Sequence, residues 1–223
     1  MNKFVLNKFS IIHIKIFMKH IIFCIAIFFV TGCTSSRITS SWKADNVQPK
    51  KYQKIIVMGL IREADRSMRE KMEDHLVGDL TDLGYNAVSS MSVFGPNAFK
   101  RMSEEFAVNS IKDAGADGVI TIVLLDKQKE RRYVSGRMRY ASLHSNQFGN
   151  YYSTMYDRIY GTGYYVTDTK YFWETNLYDM ATRQLLYSVQ TQSFSPSSSE
   201  SLGHEYGKLI VKDMVKKNVL KHF

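Results

Sequence analysis

The stretch KIIVMGLIREADRSMREKMEDHLVGDLTDLG, Lys54 to Gly84, decides the fold. It opens on Ile55-Ile56-Val57-Met58, β-branched and without polar alternation, the pattern of a strand covered on both faces and therefore central in its sheet. After Leu60 the apolar residues change period. Met68, Met72, Leu76, Leu80 and Leu83 recur at helical spacing, with Arg69, Glu70, Glu73, Asp79 and Asp82 on the remaining face, so a helix is predicted from about Asp65 to Leu83. Ser67 with Glu70 has capping-box spacing, Asp65 is a competing N-cap, and Gly84 sits where a left-handed C-cap is wanted. The two methionines read as core packing.

Working outward, Tyr85 to Ser90 makes a short second strand, followed by a Gly95-Pro96-Asn97 turn. A second helix is expected from about Asn97 or Met102 to Ala114, with Phe99, Met102, Phe106 and Ile111 apolar and Gly115 as its stop; Gly118 to Leu125 is then a third β-branched strand. Two strand-helix-strand units with short links imply parallel pairing through crossovers. Val166 to Tyr178 alternates, with Tyr171, Trp173, Thr175 and Leu177 on one face, and Leu185, Tyr187 and Val189 alternate back after a turn at Asp179 to Arg183, which is an antiparallel hairpin. Glu200 to Leu220 closes the chain as a helix with Leu202, Tyr206, Leu209, Ile210, Met214 and Leu220 inward. The expected class is α/β with α+β character: a mixed sheet of about five strands, βαβαβ followed by a long hairpin and a C-terminal helix, with three main helices.

The N-terminus carries the sharpest localising signal. Ile21 to Val30 is an uncharged apolar run, too short for a spanning helix, which needs about 20 residues. Lys15 and Lys19 precede it, and Val30-Thr31-Gly32-Cys33 closes it with the small residues of a lipobox. Met18-Lys19-His20 forms a basic start of usual form by itself, so initiation at Met18 gives the same mature chain. Residues 1-32 are therefore read as a lipoprotein signal peptide, 33-53 as a lipidated N-terminus and flexible tether, and 54-223 as a single globular periplasmic domain. Within the tether, Trp42 is expected to dock on the domain, with a place at the membrane interface as the alternative. A lipobox implies a diacylglyceryl group on the Cys33 thiol and an acyl chain on its amine, and two or three chains hold a protein stably on a bilayer. Thr34 follows Cys33 where Asp favours inner-membrane retention, so the expected site is the outer membrane, facing the periplasm.

The leader holds four lysines and no acid, so the formal charge falls from +9 for the whole chain to +5 for the mature part. Cys24 leaves with the leader and Cys33 is acylated, so no disulfide or cysteine metal site is expected. The basic cluster Lys127-Gln128-Lys129-Glu130-Arg131-Arg132 resembles a nucleic-acid patch, but export argues against nucleic acid and a solvated strand end or turn is the expectation. From Arg131 to Tyr165 the chain has no long apolar period, yet it is rich in tyrosine among Ser, Asn, Gly and Arg. Long irregular insertions of this kind carry function or are disordered. The candidate interaction surface is Arg131, Arg132, Tyr133, Tyr151, Tyr152, Tyr156, Tyr160 and Tyr164, since Tyr and Arg concentrate binding energy at interfaces; the competing reading is that these tyrosines only cover a sheet edge.

Five groups of residues together resemble a family of uncharacterised bacterial envelope lipoproteins: Ser41-Trp42-Lys43, the Lys54 to Leu60 strand leading to Arg69 and Glu73, Gly115-Ala116-Asp117-Gly118, Tyr133-Val134-Ser135-Gly136, and Leu177-Tyr178-Asp179 with Leu185 and Leu186. The element order is also similar to the periplasmic α/β modules of the curli-secretion lipoprotein and of the TolB N-terminal domain. The resemblance implies fold and localisation, and a fold does not give function.

Motifs for catalysis are incomplete. His204-Glu205 begins like a zincin helix, but Lys208 stands where the second histidine belongs; Ser40 and Lys43 have S-x-x-K spacing without the accompanying motifs. Carboxylate pairs such as Glu73-Asp74 and Glu104-Glu105 are placed on solvated helix faces. The resulting expectation is a non-catalytic, membrane-anchored envelope lipoprotein, an accessory or interaction module without cofactor or metal. Its partners are the bilayer through acylated Cys33 and an envelope protein, glycan or anionic lipid. A component of a lipid or polymer export system is the alternative, and a cryptic hydrolase or transferase a more distant one.

Overall fold

The structure is a computed structural model that describes residues 35–97, 103–134 and 163–223, all of them in the unit Ser35–Phe223. In chain order the elements are Ser36–Lys43 (β1), Ile55–Leu60 (β2), Arg66–Asp82 (α1), Ala87–Ser89 (β3), Ser90–Phe94 (α2), Glu104–Asp113 (α3), Gly118–Val134 (β4), Tyr164–Asp179 (β5), Gln184–Phe194 (β6) and Ser199–Lys216 (α4). Six strands form one mixed sheet in the order β1-β6-β5-β4-β2-β3. Strand β2 pairs in parallel with both β3 and β4, as its unbroken apolar run requires, and the β4–β5, β5–β6 and β6–β1 pairs are antiparallel.

Both faces of β2 are covered. Ile55 and Val57 join the main core with Met72, Leu76 and Leu80 of α1 and Leu202, Tyr206, Ile210 and Met214 of α4, while Ile56 and Met58 face the smaller cluster built on Ile111 of α3. All five apolar residues read as the α1 stripe are buried. Asp65 is the N-cap of α1, although its carboxylate accepts a hydrogen bond from Lys127 Nζ (2.8 Å) in place of a helix amide. Gly84 follows the helix at φ +89°, the left-handed conformation that glycine adopts at little cost. Helices α1 and α4 pack closely because α4 offers Gly203 and Gly207: a Cβ at Gly203 would lie 2.8 Å from the Lys71 carbonyl oxygen.

Three expectations need correction. The sheet has six strands, and the additional one, β1, lies in the segment expected to be a flexible tether. Its Ser- and Thr-rich sequence hid it because an edge strand is held by its backbone ladder and polar contacts more than by apolar burial. Ser36 Oγ meets Ser193 Oγ (2.7 Å), Ser41 Oγ donates to Asp213 Oδ2 (2.5 Å), and Arg37 donates to Gln192 (2.9 Å). Trp42 sits on this strand with 49% of its surface exposed, so its docking is partial. Tyr52, also assigned to the tether, is buried over Gly118, where a Cβ would come within 2.7 Å of its ring. Second, β4 does not stop near Leu125 but continues to Val134. Third, the segment after β3 forms the short α2, stopped by Gly95 at φ +80°, before α3 begins at Glu104. Phe99 and Met102, read as the start of that helix, lie outside the described residues.

Candidate functional site: a two-stranded ribbon

The added length of β4 has a specific consequence. Its other neighbour, β2, pairs only as far as Val123, and β6 pairs with β5 only as far as Lys170, yet β4 and β5 remain paired from Gly118↔Asp179 to Val134↔Tyr164. Beyond Val123 eleven residues of β4 rise about 35 Å with β5 as their one paired strand among the described residues, and the last six stand opposite residues of β5 that have no pairing with β6. An isolated pair of strands is marginally stable in water and normally needs a surface to pack on. Its base is fixed: Ser195 N donates to Thr169 O (2.7 Å) and Thr169 N to Ser195 Oγ (3.0 Å).

A bulge between Leu124 and Asp126 sets which residues face which way. Below it Ile120, Ile122 and Leu124 face the main core; above it the odd-numbered residues Lys127, Lys129, Arg131 and Tyr133 continue that side, opposite Tyr171, Thr169, Thr167 and Tyr165. Residues directly opposite in an antiparallel pair share a face. This face is basic and aromatic. Arg131 lies over the Tyr165 ring (4.9 Å), Tyr165 meets Tyr133 edge to face (5.2 Å), and Lys127 lies over Tyr171 (5.3 Å) while paired to Asp65. Asp65, a hydrogen-bond acceptor for Lys127, holds that ammonium above the usual lysine pKa against the opposing effect of burial. Lys129 and Arg131 have no carboxylate partner among the described residues, and none of the eight positions on this face is acidic.

The opposite face neutralises itself. Gln128, Glu130, Arg132 and Val134 stand opposite Lys170, Asp168, Val166 and Tyr164, with Lys170–Glu130 at 2.7 Å and Arg132–Asp168 at 3.3 Å. The ribbon therefore separates the residues singled out in sequence: Arg131 and Tyr133 are on the basic face, Arg132 and Tyr164 on the other. Tyr133, Tyr164 and Tyr165 are all more than half exposed. Tyr151, Tyr152, Tyr156, Tyr160 and Cys33 lie outside the described residues. Sequence reading missed Lys129 and Tyr165 as members of the surface, although the Lys129, Arg131, Tyr133 alternation was there to find. The basic cluster is a solvated strand end, as expected.

Glu73 requires a correction of its own. Placed on a solvated helix face by its spacing, it is fully buried, at the ends of β2 and β3. Its Oε1 accepts from Gly59 N (2.8 Å), Arg69 Nε (2.8 Å) and Ser90 Oγ (3.0 Å), and its Oε2 from Ser89 Oγ (2.7 Å) and Met91 N (3.1 Å). The carboxyl ends of parallel strands are where open α/β sheets take ligands. Here the chain's own donors fill the place, and the carboxylate has no lone pair left for chemistry.

The other polar clusters also hold the fold together. Asp213 accepts from Ser41 and from Tyr187 OH (2.7 Å), with Lys217 on the Ser41 carbonyl (3.1 Å), which fastens β1 to α4; burial first, then Asp213, raises the Tyr187 pKa. Asp117 accepts from the Gln53 and Lys54 amides, and Asp179 caps the β5–β6 turn through Ala181 and Thr182 while pairing with Lys50. His75 Nε2 meets Glu200 Oε1 (2.7 Å) beside Lys71, and His204 is its edge-on neighbour (5.5 Å). Among the described residues no group of three or more His, Cys, Asp or Glu is arranged to hold a metal, and no helix is long and apolar enough to cross a membrane.

No protein-family model and no curated protein sequence matches the chain. Among solved structures it is similar to the PelC dodecamer from Paraburkholderia phytofirmans, at 14% identity over 84% of this chain and 98% of that one with TM-score 0.40, and to a point variant of that dodecamer with TM-score 0.41. It is also similar to lipoprotein GNA1162 from Neisseria meningitidis, at 14% identity over 73% of this chain and 98% of that one with TM-score 0.40. Likeness at this level assigns neither family nor activity.

Proposed function

We propose that this chain is a non-catalytic envelope lipoprotein, held to the outer membrane on its periplasmic side by acylated Cys33, whose work is to present the β4–β5 ribbon to a partner. The observation that carries the reading is the ribbon itself, a two-stranded extension with exposed Tyr133 and Tyr165 on one face, beside Lys129 and Arg131 without carboxylate partners among the described residues. Solvent-facing tyrosines supply large contact areas at low side-chain entropy cost, and arginine beside them concentrates binding energy. The saturated hub at Glu73 supports the non-catalytic part, because the one fully buried carboxylate among the described residues is consumed by structure.

The test has two arms. Metabolic labelling with an alkyne fatty acid is expected to mark the wild-type protein and not Cys33→Ser; label retained by Cys33→Ser removes the anchor. Crosslinking in intact cells is expected to lose its products when Tyr133 and Tyr165 are changed to Ser together, with melting temperature unchanged. Crosslinks that persist in that variant remove the ribbon from the function.

A further inference from the structure

We infer that the basic, tyrosine-bearing face of the ribbon binds the anionic headgroups of the same bilayer that holds the lipid anchor, an inference that rests on the proposed acylation of Cys33. The argument begins with the direction of the chain. Ser36 pairs with Ser193, which pairs with Tyr171, which pairs with Lys127, so β1 enters the sheet at the level where the ribbon leaves it. Ser35 is one step further toward the same end, its carbonyl accepting from Phe194 N (2.8 Å). Cys33 is two residues ahead of Ser35, a reach of about 7 Å at full extension. With β1 in the sheet the leash is short, and the twenty-residue tether expected from sequence does not exist.

From that level the ribbon runs on from Gln128 to Val134, or about 23 Å. A bilayer that holds Cys33 is then close enough for the ribbon to reach it. The composition of the exposed face fits headgroups and not hydrocarbon. Lys129 and Arg131 are exposed without carboxylate partners among the described residues, and Tyr133 and Tyr165 are amphipathic rings of the kind that settle at the headgroup level. Each basic side chain near an anionic surface strengthens binding roughly fivefold. The opposite face, whose charges are paired in Lys170–Glu130 and Arg132–Asp168, has no such excess. A second copy is a poor occupant, since two basic faces brought together repel.

The experiment uses the acylated protein reconstituted through its own anchor into vesicles of phosphatidylcholine, with or without phosphatidylglycerol. The mature chain offers no other free thiol, so Thr167→Cys on the basic face and Val166→Cys on the opposite face each carry a single environment-sensitive bimane label. The expected result is a blue shift at position 167 only when phosphatidylglycerol is present. The shift is reversed by salt and lost in Lys129→Gln/Arg131→Gln, whose roughly twenty-five-fold weaker surface binding follows from the loss of two cations. The melting temperature of that variant should be unchanged, because both side chains are exposed.

An emission that ignores phosphatidylglycerol, or an equal shift at position 166, overturns the inference. So does a shift produced by a soluble acidic polysaccharide on phosphatidylcholine vesicles and not by phosphatidylglycerol. Co-flotation and the mass of the N-terminal peptide read acylation separately. A protein that is not acylated and does not float overturns the inference and the anchor proposal together; one that is acylated and floats, with an unresponsive label, overturns the inference alone.

Discussion

Replacing Glu73 by Gln tests whether the buried hub is a structural joint. The substitution keeps the shape and removes one charge. Oε1 retains its bonds from Gly59 N and Arg69 Nε, and the hydroxyls of Ser89 and Ser90 rotate to accept from the new amide. Met91 N is left facing a donor, although it keeps a longer bond to Ser89 Oγ (3.2 Å). The larger loss is at Arg69, whose side chain is 11% exposed and whose charge becomes uncompensated. Breaking one partner of a buried pair costs about 3–5 kcal/mol. Arg69 keeps Ser90 Oγ (3.0 Å) and the Pro96 carbonyl (3.3 Å), which sets the expectation at the lower end, about 3 kcal/mol. For a domain of this size that is a fall of roughly 6–12 °C in Tm, read by calorimetry or circular dichroism. The double variant Arg69→Met/Glu73→Gln should cost less than the sum of the two single changes, because the second removes the orphan left by the first. A Glu73→Gln protein within about 1 kcal/mol of wild type would refute the reasoning, and would mean that the carboxylate is spare.

Three further outcomes follow from helix packing and burial. Gly203→Ala should destabilise by up to about 2 kcal/mol despite a helix-propensity gain of about 1, since its Cβ would meet the Lys71 carbonyl oxygen at 2.8 Å; Gly78→Ala, with nothing within 4 Å, should stabilise by about 1 kcal/mol, and urea midpoints read both. Burial raises the Asp79 carboxyl above its usual range, and its Oδ2 has no hydrogen-bond partner among the described residues. An acid with a raised folded-state pKa contributes stability that is present in acid and lost as pH rises through that pKa. Asp79→Asn should therefore raise Tm at pH 7 by no more than the equivalent of about 1 kcal/mol, because solvent reaches the group, and the gain should vanish below about pH 4; a gain that grows in acid would reverse the argument.

What could be read in sequence divides along physical lines. The β2–α1 unit was legible because both faces of the strand and one stripe of the helix are apolar, so the period of burial is written in the residues. Strand β1 was not, because an edge strand whose side chains end in Ser36–Ser193 and Ser41–Asp213 contacts carries no apolar period. The outer half of β4 was hidden for the same reason and for one more. The bulge at Leu125, which is 51% exposed, reverses the parity of the strand, so an alternation read up from Ile120 assigns Lys129 and Arg131 to the wrong face. Glu73 was misplaced because the helical wheel places it beside Leu80 at the border of the stripe, and only tertiary structure brings Gly59, Ser89 and Ser90 to it.

The residues that carried the family resemblance also acquire a common meaning. Ser41 fastens β1 to α4, Arg69 and Glu73 tie α1 to the ends of β2 and β3, Asp117 holds the entry to β2, and Asp179 caps the β5–β6 turn. Each is a polar joint whose donors and acceptors are spent within the chain, which is why the resemblance speaks to fold and stays silent on chemistry. Tyr133 is the exception among them. Its hydroxyl accepts from the Gly163 amide (3.0 Å), and its ring is more than half exposed against Tyr165. Removing a joint should therefore lower stability and leave binding intact in the molecules that remain folded. Removing Tyr133 should do the reverse, since burying that ring against a partner recovers area that the fold leaves in water.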